Sequence, residues 1–166
     1  MYGKSWLKPE LIQFIAAIAA LSLGLMVYLM IRDPQQVYFL SYFAPLQQSD
    51  SSRPGIVSDF LPSLFHSYAF ILLTVATLSA STAQTRSVCL FWVIIECSFE
   101  IGQHDAIAEH ISKYTGTMRF LDVFSEYFIN GTFDLLDIAA IAAGACLAYA
   151  TVSISFSADR LFSASR

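Results

Sequence analysis

Two carboxylates stand one helical turn apart in a stretch of the chain that is otherwise apolar. Glu96 and Glu100 belong to residues 87–102, SVCLFWVIIECSFEIG, whose composition is typical of a membrane span. The helical rise of about 1.5 Å per residue places Glu96 about 14 Å from the start of this stretch, near mid-membrane. An ionised side chain at that depth costs about 2.5 kcal/mol or more, and such residues usually serve a function. We therefore expect an intramembrane polar site that includes both glutamates.

Other polar residues are expected at a similar depth. His66 lies about 9 Å from the start of the apolar run 60–82, and Asp134 and Asp137 open the apolar run 133–156. If successive spans alternate in direction, these groups meet in the outer half of the membrane. The predicted set, which binds a ligand or serves a structural role, is His66, Glu96, Glu100, Gln103, Asp134 and Asp137. His66 as a hydrogen-bonded packing residue and Asp134 as a helix N-cap are the structural alternatives.

The elements that must position these residues are four apolar helices. Of the 166 residues, 56% are hydrophobic and only 13% are charged, about half the charged share of a soluble domain. Apolar runs at about residues 11–31, 60–82, 87–102 and 133–156 are candidate spans. The sequence predicts an all-α fold, a single membrane domain over residues 1–166, built as an integral membrane four-helix bundle with short interfacial helices on its outer face.

Helices on the outer surface are predicted from the segment between the third and fourth spans. One amphipathic stretch places Ile107, Ile111 and Tyr114 on a common face, and a second does so with residues 120–127. The aromatic segment 37–46, after the first span, suits the headgroup zone of a membrane.

Basic residues give the expected orientation. With the N-terminus inside, five Lys and Arg lie on the inner side and four on the outer side, and Arg86 falls in a short hairpin where the positive-inside rule is best obeyed. The sequence therefore predicts a protein integral to the cytoplasmic (inner) membrane, with both termini cytoplasmic.

The fourth span carries a pattern for close helix packing. Ala140, Gly144 and Ala148 recur every four residues, and this spacing lets the backbone of another helix approach. Asp137 belongs to the same face, which we therefore expect to contact protein rather than lipid.

The order of these polar residues resembles the VanZ-like family of small polytopic bacterial membrane proteins. His66 with Phe70, Glu100 with Gln103, and Asp137 with Gly144 match the family pattern over about residues 59–150. The chain has Gly131 and Ile141 where the family usually has Arg and Asn. The resemblance implies a polytopic bacterial membrane protein and assigns no chemical activity.

Several functions are compatible with this pattern. The net charge of −4 and the absence of a basic stripe exclude a nucleic-acid partner. We expect an accessory or structural subunit that binds the bilayer and, through the outer polar residues, a lipid or cell-envelope ligand or another membrane protein. The alternatives are an enzyme acting on a lipid-linked envelope substrate, for which Ser63, Ser67 and Ser98 lack a nucleophile signature, and a subunit that holds haem or a metal through His66. We predict no metal and no cofactor.

Overall fold

The computed structural model describes residues 8–31, 56–115 and 127–164, and all regular secondary structure within these ranges is helical. The helices are α1 (Pro9–Ile31), α2 (Ile56–Leu78), α3 (Thr82–Gly102), α4 (Asp105–Thr115) and α5 (Leu135–Ala164). A further helical turn covers residues 127–130. The predicted all-α class is confirmed for these residues. The aromatic segment 37–46 and most of the second predicted surface helix lie outside them.

Three of these helices are long and apolar enough to cross a membrane. The candidate spans are Pro9–Val27 in α1, Phe60–Leu78 in α2 and Leu135–Leu161 in α5. The predicted third span lies in α3, which carries Glu96 and Glu100 and is not among the three. The first predicted surface helix is present as α4.

The turn between α2 and α3 lies earlier than the sequence pattern indicated. Helix α2 ends at Leu78, and Ser79 adopts a left-handed conformation with φ 47°. Ser81 then caps α3, because its hydroxyl accepts from the Gln84 amide while the Gln84 side chain accepts from the Ser81 amide. This capping box begins α3 at Thr82, so Arg86, expected in the hairpin, lies inside the helix.

Helices α2 and α5 run parallel and in close contact. Ser63 of α2 bonds to Asp137, and Tyr68, further along α2, bonds to Thr151. Between these pairs Gly144 lies against the α2 backbone, where an added Cβ would be 2.5 Å from the Leu64 carbonyl oxygen. Ala140 and Ala148, one turn to either side of Gly144, are buried.

Helix α1 packs antiparallel to α2. Gly24, near the end of α1, faces Phe65 near the start of α2. The side-chain amide of Gln13, near the start of α1, donates to the Ser155 hydroxyl in the C-terminal third of α5 at 2.9 Å. The start of α1 and the end of α5 therefore lie on the same side of the bundle. The core between α1, α2, α5 and the α2–α3 turn consists of Ala17, Ala20, Ala69, Ile71, Leu72, Val75, Ala80, Ala145, Ala148 and Val152.

Helix α3 runs antiparallel to both α2 and α5. Trp92 donates its indole N–H to Thr74 of α2, and Cys89 contacts the Ala145 carbonyl of α5 at 3.9 Å. At the far end Glu100 reaches the start of α5. We call this end, where α3 ends and α5 begins, the Glu100 end.

The Gly144 contact gives the first prediction. Gly144→Leu should separate α2 from α5, because no space exists for a Cβ beside the Leu64 carbonyl, and overpacking of this kind costs about 1–3 kcal/mol or prevents folding. Thermal unfolding in detergent should show a lowered midpoint or no folded protein. The matched control is Ala143→Leu on the adjacent, exposed position of the same helix. If both substitutions are tolerated equally, the close α2–α5 contact is wrong.

Candidate functional site

The start of α5 is held by a side chain from α3. Glu100 is 8% exposed, and its Oε1 accepts a hydrogen bond from the Asp134 amide at 2.7 Å. Asp134 then caps the helix itself, because its Oδ1 accepts from the Leu136 amide at 2.9 Å. Both carboxylates lie at the N-terminal end of α5, where the helix dipole favours negative charge. The predicted N-cap interpretation of Asp134 therefore describes its geometry.

Asp137 connects α5 to α2. Its Oδ1 accepts a hydrogen bond of 2.6 Å from the Ser63 hydroxyl, one turn before Ser67 on the face of α2 that packs against α5. Sequence reasoning considered Ser63 only as a nucleophile and missed this role. The available signal was the pair of serines four residues apart in an apolar span, a pattern typical of polar contacts between membrane helices.

Glu100, Asp134 and Asp137 form what we call the acidic cluster. The carboxyl groups of Asp134 and Asp137 lie near enough to Glu100 to interact with it electrostatically. The cluster brings together three of the six residues of the predicted set. Within the described part of the chain, no three His, Cys, Asp or Glu residues are placed to hold a metal ion.

Gln103 lies beside the cluster and fastens residues 127–134 to the end of α3. Its amide nitrogen donates to the Tyr127 hydroxyl at 3.0 Å, and its side chain lies directly on Gly131, leaving no space for a Cβ there. Gly102 is covered in the same way by the ring of Phe128. A side chain at position 131 would displace the Gln103 amide from its present place.

Glu96 lies one turn below Glu100 and has no comparable partner. Both of its carboxyl oxygens are buried and accept no hydrogen bond. The Ser67 hydroxyl faces Glu96 across the α2–α3 contact but is placed to donate to the Ile141 carbonyl at 3.2 Å. Glu96 is therefore separate from the acidic cluster.

His66 does not join the acidic cluster, although it was expected to lie beside it. The imidazole is exposed on the surface of α2, where its ring centroid lies 4.0 Å from that of Phe70. Phe70 in turn lies 4.9 Å from Trp92 of α3. Among the described residues His66 makes no hydrogen bond and no ion pair. Ser63 and Ser67 bond to α5, whereas His66 contacts Phe70, which in turn contacts Trp92 of α3.

Comparisons of the chain with known protein families, with curated proteins and with solved structures found no match.

The contact at the start of α5 gives the second prediction. Glu100→Ala should destabilise the protein by about 1.5–3 kcal/mol, the usual loss for a hydrogen bond to a charged group, because the Asp134 amide loses its acceptor. Glu100→Gln keeps an acceptor oxygen and should lose less. Amide hydrogen exchange should accelerate at residues 134–138 in the alanine variant.

Glu109→Ala, a change of the same type at an exposed position of α4, is the control and should leave this exchange unchanged. Unaltered protection of residues 134–138 in Glu100→Ala would show that Glu100 does not hold the start of α5.

Proposed function

We propose that the chain is a small four-span membrane protein of the VanZ-like type, accessory or structural in role, that binds a lipid or cell-envelope ligand or a membrane partner through polar groups in the outer half of the membrane. The observation that carries this proposal is His66, an imidazole exposed on an apolar span with no hydrogen-bond partner among the described residues.

An unpaired polar group in apolar surroundings is costly. Such a group loses its hydrogen bonds to water, which costs about 1–3 kcal/mol as judged from protein substitutions. His66 lies about 9 Å inside the span that begins at Phe60, below the headgroups that would otherwise hydrate it. A bound molecule that hydrogen-bonds the imidazole removes this cost, and leucine at position 66 would have avoided it altogether.

The contacts of the hydroxyl groups favour binding over catalysis. A nucleophilic serine requires a base to accept its proton. Ser63 donates instead to the carboxylate of Asp137, which ties α2 to α5, and Ser67 is placed to donate to a backbone carbonyl. The carboxyl group of Glu100 accepts a hydrogen bond from the Asp134 amide at the start of α5. These groups are already used to hold helices together.

The VanZ-like part of the proposal rests on the order of its motif residues along the chain, and the structure describes where those residues lie. Phe70 stacks on His66, and Gly144 lies in the tight contact between α2 and α5. Gln103 fastens residues 127–134 to α3.

A crossing by α3 follows from the directions of its neighbours. Helices α2 and α5 run parallel, so a chain that crosses the membrane in α2 must return before it crosses again in α5. Helix α3 is antiparallel to both and reaches from the end of α2 to the start of α5. We propose that it makes this return crossing, with the Glu100 end outside and both termini in the cytoplasm.

Labelling of single cysteines tests this topology, and it is the third prediction. In a chain whose Cys89, Cys97 and Cys146 are replaced by alanine, Thr132→Cys should react with a membrane-impermeant thiol reagent added to intact cells. Thr82→Cys, the same change at an exposed position on the other end of α3, should react only after the membrane is opened. The reverse pattern would move the Glu100 end to the cytoplasm, and labelling of both from outside would mean that α3 does not cross.

Photo-crosslinking tests the binding role, and it is the fourth prediction. Phe91 and Phe14 are both about half exposed, on α3 and α1 respectively, and Phe91 contacts Trp92 beside Phe70. A photoreactive phenylalanine at position 91 should give a discrete adduct in native membranes, and His66→Leu should abolish it. The same residue at position 14 should give only the diffuse products of bulk lipid.

Identical products at positions 91 and 14 would defeat the proposed function, because the surface near His66 would then be ordinary lipid-facing surface. A discrete adduct that persists in His66→Leu would show that the surface binds something but that His66 is not the group responsible.

A further inference from the structure

We propose that the ligand at His66 is a lipid-soluble molecule with a planar, carbonyl-bearing ring on an apolar tail, the chemistry of a membrane quinone. The inference rests on the proposed function and specifies the ligand of the same site. Its basis is the placement of an unpaired imidazole on a column of aromatic rings that is reached from within the bilayer. We call the rings of His66, Phe70 and Trp92 the aromatic column.

The depth of His66 restricts the polar part of the ligand. The imidazole lies about 9 Å inside an apolar span, whereas phospholipid phosphates stay in the headgroup layer outside the hydrocarbon. The group that meets His66 must therefore enter the hydrocarbon at low cost. A ring carbonyl is neutral, accepts one hydrogen bond from an imidazole N–H and enters far more readily than an ionised headgroup.

The aromatic column favours a planar ring beside that carbonyl. The centroids of His66 and Phe70 are 4.0 Å apart, in close ring contact, and those of Phe70 and Trp92 are 4.9 Å apart, within the range of favourable aromatic pairs. Trp92 already donates its indole N–H to Thr74, so it presents only ring carbon to a ligand. His66 is then the one hydrogen-bonding group of the column that is not in use.

The side-chain chemistry of this surface is that of small-molecule sites, mostly apolar and aromatic with a few placed polar groups that set orientation. Phe91, which contacts Trp92 and is 55% exposed, extends the aromatic surface toward the lipid. An apolar tail continues along this surface into the bilayer. A partner helix would need a polar side chain at the same depth, and the crosslinking experiment identifies it as a protein adduct.

Fluorescence of Trp92 provides the test. Trp6 and Trp92 are the two tryptophans of the chain, so Trp6→Phe leaves Trp92 as the reporter. The full chain in lipid nanodiscs is titrated with a short-tailed quinone analogue, which quenches a tryptophan on contact. We expect saturable quenching, with a half-saturation concentration at least tenfold higher in His66→Leu. His66→Gln, which keeps a hydrogen-bond donor, should lie between the two, and His110→Leu on α4 should not change it.

Two results would overturn the inference. One is Trp92 quenching that rises linearly with quinone concentration, and the other is the same quenching curve for the chain with His66, for His66→Leu and for His66→Gln. A second readout guards against misfolding of the variants. The quinone analogue should suppress the adduct formed from position 91 in the chain that retains His66. A discrete adduct that the quinone does not suppress would leave the proposed function standing and remove the quinone as its ligand.

Discussion

The contact between α2 and α5 at Gly144 determines the rest of the arrangement. Two neighbouring helices pack either with their backbones in close contact or with side chains filling the space between them. Here the backbones are in contact, because Gly144 lies directly on the Leu64 carbonyl. Because α2 and α5 are parallel, α3 must run back between their ends. That return brings Glu100 to the start of α5 and Trp92 to α2. The polar residues therefore meet as a consequence of one packing contact.

Most of the polar groups that this arrangement gathers stabilise helix ends and helix contacts. Glu100 and Asp134 accept backbone amides at the start of α5, and Asp137 accepts the hydroxyl of Ser63. Each such bond to a carboxylate contributes about 1.5–3 kcal/mol when its partner would otherwise be left unsatisfied. Acidic residues in an apolar helix are thus explained in part without any ligand. A carboxylate at the N-terminal end of a helix is also favoured by the dipole of that helix.

Two residues of the predicted set, Glu96 and His66, remain outside these contacts, and they differ in their exposure. Glu96 has both oxygens buried and accepts no hydrogen bond, so it is closed to a ligand in this conformation. His66 is exposed and equally without a partner among the described residues, so a molecule in the bilayer can reach it. The exposed imidazole of His66 is therefore a stronger indication of a binding site than the buried carboxyl group of Glu96. The proposed site accordingly lies on the α2–α3 surface and not in the acidic cluster.

The helical class, the apolar helices and the small-residue face of α5 could be predicted from the amino-acid sequence, because hydrophobicity and residue size act locally along a chain. The residues predicted at a shared depth, from the helical rise, were His66, Glu100, Gln103, Asp134 and Asp137, and of these Glu100, Asp134 and Asp137 form the acidic cluster. Which side of each helix meets another helix depends on how the whole chain packs. Ser63 of α2 bonds to Asp137 while His66 contacts Phe70, and the capping box at Ser81 began α3 earlier than the hydrophobic pattern indicated. The rotation of each helix about its own axis and the residue at which a helix begins depend on packing with residues distant in the sequence. Local composition does not encode this packing.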